Sequence, residues 1–383
     1  MTISAFAAGI CIASGGIHAL SVALASRRCA RPSSPTPVPK DAPPVSIIQP
    51  LRGIESYSRE TLRLIFALDY PDYEIVFCLA DADDPIAPLV RAAIAAHPER
   101  PARLLIGDDR VSANPKLNNV VKGWKAARRD WIIMADSNVL MPPDYIQRLL
   151  ASWVPGTGVV CSPPIGSRAG SFGAEVEAGL LNTYEARWQY AAEAAGFGFA
   201  QGKTMLMRRD IIERGGGIEA LGAEIAEDAA TTKLIHRQGL DAHLANGPFE
   251  QPLGVRSLKD VWSRQARWAR LRRATFPLHF APEILTTSLV MIVAAAVAGE
   301  AYGLGSLTNA ALAALVWYAL EAFLARIAGW PLTWRSPFAW MVRDVMLPFL
   351  WLRGWSRENF IWRGNAMSVD EPVLREAGPG QDV

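Results

Sequence analysis

Three acidic sites in this chain each follow a stretch that could deliver a carboxylate to the rim of a β-sheet or the start of a helix. The first is Asp81-Ala-Asp83-Asp84-Pro85, directly after the apolar run Glu74–Ala80. Asp81 or Asp84 could accept hydrogen bonds from a uracil or ribose, or could cap the helix that follows. The second is Asp136-Ser137-Asn138, just after Trp131–Ala135. A carboxylate there can hold Mg2+ or Mn2+ against a diphosphate, because these hard cations take oxygen ligands and keep positions open for phosphate. The cation would neutralise charge on a leaving diphosphate. Asp136 is the candidate ligand, with Asn138 a second candidate; the alternative is a turn residue. The third is Asp228, in Ala226-Glu227-Asp228, ahead of a helical pattern from Ala229 to Arg237. Asp228 is a candidate general base for a hydroxyl, or else a first-turn acid that complements the helix dipole. Adjacent residues do not share a helix face, so one of Glu227 and Asp228 is expected to act and the other to orient or stay solvated.

Two basic stretches could meet a phosphate. Asn114-Pro-Lys116-Leu-Asn-Asn119 places Lys116 among hydrogen-bonding side chains before a helix. Arg264-Gln-Ala-Arg267-Trp268 sets Arg264, Arg267 and Trp268 on one helical face. Two guanidinium forks suit a diphosphate, and a tryptophan can floor a sugar or a lipid head. The same segment, with Arg256, Lys259, Trp262, Arg270, Arg272 and Arg273, also reads as a basic aromatic helix lying on an anionic membrane.

The elements that must carry these residues alternate. Strand-like runs at Val45–Ile48, Glu74–Leu79, Arg103–Ile106, Trp131–Ala135 and Val159–Cys161 are separated by helical patterns at Ser58–Leu68, Pro85–Ala96, Asn118–Ala127 and Pro143–Trp153. This pattern predicts an α/β domain with a mostly parallel sheet. Such sheets bind ligands beyond the carboxyl ends of their strands.

Half of the 383 residues are hydrophobic and the mean hydropathy is +0.12. That is high for a purely soluble enzyme and low for a transporter. A net charge of +2 gives no footprint for a nucleic-acid partner. Cys11, Cys29, Cys78 and Cys161 form no CxxC pair and read as reduced thiols. Ile3–Ala25 carries no charge. At about 1.5 Å per residue it is long enough for a hydrocarbon core of about 30 Å. Arg27, Arg28 and Arg31 follow it, so the segment reads as a retained anchor with the rest of the chain starting in the cytoplasm. After about Pro282 the chain is apolar again. Ile284–Leu304 and Leu307–Ile327 could span as a hairpin. Pro337–Leu352, interrupted by Arg343 and Asp344, reads as re-entrant or interfacial. The expected organisation is an anchor at 1–27, a Pro/Ser-rich linker at 28–44, a cytoplasmic catalytic domain at 45–281, membrane or re-entrant segments at 282–364 and a polar tail at 365–383.

Taken together, the motifs resemble the ceramide glucosyltransferases of glycosyltransferase family 21, relatives of the larger family 2. The family pattern is three spaced aspartates followed by [Q/R]xxRW. It is matched here by Asp84, Asp136, Asp228 and Arg264-Gln-Ala-Arg-Trp268, in a context that includes Pro50-Leu-Arg-Gly53, Leu68-Asp-Tyr-Pro71 and Asn114–Asn119. The resemblance runs from about Val45 to Phe276. It implies a GT-A fold, a UDP-sugar donor, Mg2+ or Mn2+, and inversion at the anomeric carbon. It implies Asp228 as base, Asp84 near the nucleotide and Asp136 at the metal and diphosphate, with Arg267 and Trp268 closing over donor and acceptor. The stretch Asn182–Gln189 differs from eukaryotic members, which leaves ceramide, diacylglycerol and a phospholipid such as phosphatidylethanolamine as acceptors, and glucose, N-acetylglucosamine, glucuronic acid or galactose as the sugar. An Ala- and Arg-rich chain without an N-x-[ST] site looks bacterial, which implies an inner-membrane enzyme. A processive polysaccharide synthase shares the aspartates, and a sensor that binds a nucleotide sugar is the non-enzymatic rival.

Overall fold

The computed structural model describes residues 3–356 apart from 32, 33, 302 and 304, together with the backbone of 360–362 and 365–367. The expected polar tail at 365–383 lies outside the residues whose side chains are described. The chain opens with α1 (Ile3–Cys29), which runs past the expected anchor to include Arg27 and Arg28. The linker from Ser34 to Pro44 has neither helix nor strand but is pinned, because Thr36 N donates to Asp144 Oδ2 at 2.8 Å.

Then follow β1 (Val45–Pro50), α2 (Ser58–Phe66), β2 (Tyr73–Leu79), α3 (Ala87–Ala96), β3 (Ala102–Ile106), α4 (Pro115–Ala126), β4 (Trp131–Ala135), α5 (Tyr145–Ala151), β5 (Thr157–Cys161), β6 (Ile165–Ala169), α6 (Phe172–Gly179), a π-helix (Leu180–Ala186), α7 (Arg187–Ala194), β7 (Thr204–Arg208), α8 (Arg209–Arg214), a 3-10 turn (Ile218–Ala223), α9 (Glu227–Arg237), β8 (Asp241–Leu244), β9 (Glu250–Gly254) and α10 (Leu258–Thr275). The main sheet has the order β3-β2-β1-β4-β7-β5-β8. All its pairings are parallel except those of β7, which runs antiparallel to both β4 and β5. β2 is buried along its whole length, as a central parallel strand requires. α4 begins at an Asn114 cap whose side chain accepts from Lys116 N and Leu117 N, with Pro115 at the first helical position. It lies so close to the sheet that a Cβ at Gly123 would come 2.6 Å from Cys78 Sγ.

Two apolar layers flank the sheet. One, on α2, α3 and α5, includes Ile47, Ile65, Phe77, Val90, Tyr145 and Leu149. The other includes Ile48, Val120, Trp124 and Met134, and continues into Val22 and Ala25 of α1 and Leu324 of the last apolar span. The apolar helices at the two ends of the chain therefore share a core with the main sheet.

The C-terminal part is α11 (Pro277–Phe280), a 3-10 segment (Ala281–Thr286), α12 (Ser288–Ala301), α13 (Ser306–Ala328) and α14 (Ser336–Gly354). α1 and α13 are each long and apolar enough to cross a membrane. The expected first arm of the hairpin departs from that simple form. The chain bends by 46° between Pro277–Thr286 and Ser288–Glu300, so this pair is a broken span or a re-entrant loop. α14 carries a fully buried ion network on its inner side, opposite an exposed apolar stripe of Phe338, Met341, Val345, Phe349 and Leu352. Arg343 Nη1 and Nη2 each lie 2.9 Å from a Glu321 carboxylate oxygen, and Arg343 Nε lies 2.7 Å from Asp344 Oδ1. Thr183 of the π-helix donates to Glu321 at 2.8 Å. Charges removed from solvent must be paired in this way.

Candidate active site

The carboxyl end of β4, the loop before β7 and the start of α9 meet at one place. β4 ends at Ala135, so Asp136 projects at its rim, and Asp136 N is bonded to Lys203 O at 3.0 Å. The Lys203 ammonium lies 2.8 Å from Asp136 Oδ2 and 3.3 Å from Asn138 Oδ1. Lys116, placed by the capped start of α4, reaches in from the other side. Its Nζ lies 2.7 Å from Asp136 Oδ1, 2.6 Å from Glu227 Oε1 and 2.7 Å from Gly202 O. Asn114 Nδ2 donates to the second Glu227 oxygen at 2.7 Å.

Asp228 accepts from Gly202 N at 2.9 Å and from Ala229 N at 2.8 Å. Glu227 and Asp228 do not diverge as their adjacency suggests. They occupy the first turn of α9, and both face Gly202, where an added Cβ would stand 3.1 Å from an oxygen of each. Helix-face spacing governs a helix interior; at the first turn the two side chains bracket the incoming loop.

The electrostatics follow from this packing. Burial alone would raise the Asp136 carboxyl, but the ammoniums of Lys116 and Lys203 hold it well below the usual carboxylate range. Burial would lower Lys116, but Asp136 and Glu227 keep it above its ordinary value. Asp228 is pushed up to about 6, first by burial and then by the Glu227 charge. A carboxylate poised there is a competent base near neutral pH. Asp136, Glu227 and Asp228 set against Lys116 and Lys203 leave one net negative charge when all are ionised, and a diphosphate would add more. An additional cation is therefore electrostatically favoured. Among the described residues no cluster of three or more His, Cys, Asp and Glu side chains gathers as a metal cage. The oxygen pair Asp136 Oδ2 and Asn138 Oδ1 does converge on one cation, the Lys203 ammonium. The donor set thus fits Mg2+ or Mn2+, which need few protein oxygens when phosphate supplies the rest, with Lys203 standing where the ion would bind.

The other expected site residues have different neighbours. Asp84 accepts from Gly53 N at 2.9 and 3.0 Å and from Ile86 N at 2.9 Å, so it ties the Pro50–Gly53 loop to the start of α3. Asp81 accepts from Asp83 N at 2.9 Å. Both sit beyond the end of β2 on the same carboxyl rim as Asp136.

Arg264, offered to a diphosphate by its spacing, is instead bonded to Glu177 Oε1 at 2.9 Å, and Arg256 takes Oε2 at 2.9 Å. Glu177 is fully buried, so this pair fastens α10 to α6. Trp268 packs against Ala174, Ala178, Leu181 and Leu253. Arg267 lies on the same face of α10. The helix is fixed by a capping box between Ser257 and Asp260.

Lys203 and Gly202 escaped the sequence reading. The only signal was a Gly-Lys pair at the start of the unrecognised strand β7.

The comparisons agree with this geometry. The fold is similar to that of the mannosyltransferase PcManGT from Pyrobaculum calidifontis, solved in complex with GDP-Man and Mn2+, with a TM-score of 0.51 at 20% identity, covering 90% of this chain and 99% of that one. The sheet topology and that likeness are those of the expected GT-A fold. The chain is 24% identical over 336 residues to ceramide glucosyltransferase 3 of Caenorhabditis elegans, covering 85% of this chain and 73% of that protein. It is 25% identical over 338 residues to ceramide glucosyltransferase 1 of the same organism, covering 85% and 72%. The model of glycosyltransferase family 21 matches residues 3–373, nearly end to end, and the chain belongs to that family.

Proposed function

We propose that this protein transfers glucose from UDP-glucose to the primary hydroxyl of a membrane lipid, ceramide in the first instance, with inversion at the anomeric carbon. The observation that carries the reading is the convergence of Asp136, Lys116, Lys203, Glu227 and Asp228 around Gly202 at the carboxyl rim of the sheet. The names of the relatives support the sugar and the acceptor.

In this mechanism Asp228 accepts the proton of the acceptor hydroxyl as that oxygen attacks the anomeric carbon from the face opposite the diphosphate. The bond from that carbon to the diphosphate oxygen breaks, and its electron pair leaves with UDP. Glu227 holds Lys116 in place, and the ammoniums of Lys116 and Lys203 face the charge that grows on the leaving group. Asp136 and Asn138 would hold a divalent cation, which supplies further neutralisation of that charge when bound. Asp84, through the Gly53 loop, shapes the nucleotide end. Arg267 and Trp268 would close over donor and acceptor. Arg27 and Arg28 in the last turn of α1, with Arg31 just beyond it, support a catalytic domain on the cytoplasmic face of an inner membrane.

The test is mass spectrometry of products made by the purified full-length enzyme with a panel of UDP-sugars and lipids. A monoglucosylated ceramide supports the reading. Transfer of N-acetylglucosamine, glucuronic acid or galactose, or transfer to diacylglycerol or phosphatidylethanolamine, reassigns the substrates. A polymer points to a polysaccharide synthase.

A further inference from the structure

One edge of the protein exposes large apolar side chains. Phe197, in the loop Gly196-Phe-Gly-Phe199 after α7, is 62% exposed, Leu278 of α11 is 87% exposed and Leu285 of the 3-10 segment is 62% exposed. Distant parts of the chain meet there. The rings of Phe197 and His279 stand edge to face with their centroids 6.1 Å apart, and Leu278 is the neighbour of His279. Large apolar side chains gathered at a surface in this way mark a contact with something apolar.

The helix that follows says what covers them. α12 has 14 residues. At about 1.5 Å per residue that is about 21 Å, short of a hydrocarbon core of about 30 Å. The segment Pro277–Thr286, which meets α12 at 46°, supplies the missing length. Leu278 and Leu285 then lie at the lipid boundary, and their edge continues the exposed apolar surface of α12 at Val293 and Val297. A protein partner on this edge would leave the short helix without its remaining length.

Phe197 belongs to the sheet domain, yet it stands on that edge, and a tightly held strut joins it to the aspartate cluster. Phe197 N donates to Ala192 O at 2.8 Å. Gly196 takes a φ of +83° to make the turn, and Gly198 packs on Ala242 O so closely that no Cβ would fit. Ala200 N donates to Thr232 Oγ1 at 2.9 Å, and Gly202 N donates to Asp228 Oδ2 at 2.9 Å. Five steps of chain run from Phe197 to Gly202, which is at most about 18 Å even when extended.

We propose that Phe197 is a membrane-contact residue whose ring enters the lipid boundary beside Leu278 and Leu285, and that the strut behind it positions Gly202 and Lys203 for the reaction. The contact stands apart from the transfer proposed above; the positioning role rests on it.

The experiment uses the full-length protein in phosphatidylcholine nanodiscs. A Cys11→Ala background leaves Cys29, Cys78 and Cys161, all buried. Nitroxide labels are placed through Phe197→Cys, Leu278→Cys and, as a control, Ala92→Cys on the exposed face of α3, in the layer opposite α1. Collisions with oxygen and with a water-soluble nickel chelate are compared. Labels at 197 and 278 are expected to favour oxygen, and the label at 92 the chelate. A label at 197 as open to the chelate as the one at 92 would overturn the contact. With ceramide as acceptor, Phe197→Ser is expected to lower kcat/KM for the lipid at least fivefold, with UDP affinity within twofold of wild type and an unshifted melting temperature, and Phe197→Trp is expected to restore it. Unchanged transfer in Phe197→Ser would overturn the positioning role, as would a parallel loss of UDP affinity and melting temperature. Wild-type protein that glucosylates no lipid would refute the proposed reaction and the positioning role with it, while the collision rates decide the contact without any turnover.

Discussion

The ammonium of Lys203 lies 2.8 Å from Asp136 Oδ2 and 3.3 Å from Asn138 Oδ1, the two oxygens proposed above to hold a divalent cation. A lysine and an ion cannot occupy one point together, so on that proposal the two compete. Lys203→Met is expected to tighten Mn2+ binding in the presence of UDP by about tenfold, read by titration calorimetry. It should also make activity fall more steeply on chelation. Equal Mn2+ affinity in both proteins would show that the lysine never blocks the ion.

Asp228→Asn should remove transfer while leaving UDP affinity unchanged. A loss of about 10^3-fold or more in kcat is expected for a base that nothing replaces, given that general base catalysis contributes typically 10^2–10^4-fold. Turnover near wild type would take Asp228 out of the mechanism.

The pH dependence has a fixed sign. Asp228 must be ionised to accept a proton, and its carboxyl sits at about 6. kcat/KM for the acceptor should therefore fall as pH drops through about 6 and level off above 7. Stability runs the other way. A carboxyl whose folded value is raised binds its proton more tightly in the fold, so it favours the fold at low pH and costs stability once ionised above about 6. Asp228→Asn should therefore melt above wild type at pH 8 and close to it at pH 4.5. A profile that rises towards acid pH would contradict the base assignment.

Arg343→Leu leaves Glu321 and Asp344 buried without their cation. Loss of one partner from such a network costs about 3–5 kcal/mol. The variant should melt well below wild type in detergent micelles, and Arg343→Leu with Glu321→Leu should recover part of the loss. An unshifted melting temperature would mean that the pair contributes nothing net.

The sheet and its acids were legible because each signal is local. Strands Tyr73–Leu79 and Trp131–Ala135 are short apolar runs, and the acids that follow them fall at the rim by chain direction alone. What escaped depends on distant partners. Lys203 finds Asp136 across 67 residues, and Arg264 finds Glu177 across 87. Nothing in the spacing of Arg264, Arg267 and Trp268 separates a diphosphate clamp from a brace between two helices. The bend before α12 was also hidden, since an apolar run of adequate length carries no mark of where its axis turns. The π-helix was equally silent, because its residues are ordinary helix formers.

β7 lies between β4 and β5 but is made after the excursion of residues 162–203. The ribosome therefore releases Asp136 after Lys116 but long before Lys203, the second of the two lysines that neutralise it. Until the excursion folds back, the half-built sheet has an open slot with unpaired backbone on both sides. Part of that excursion, the π-helix, leans on Glu321 and Arg343, which are made later still. The π-helix therefore finds two of its partners only in helices made 138 and 160 residues later.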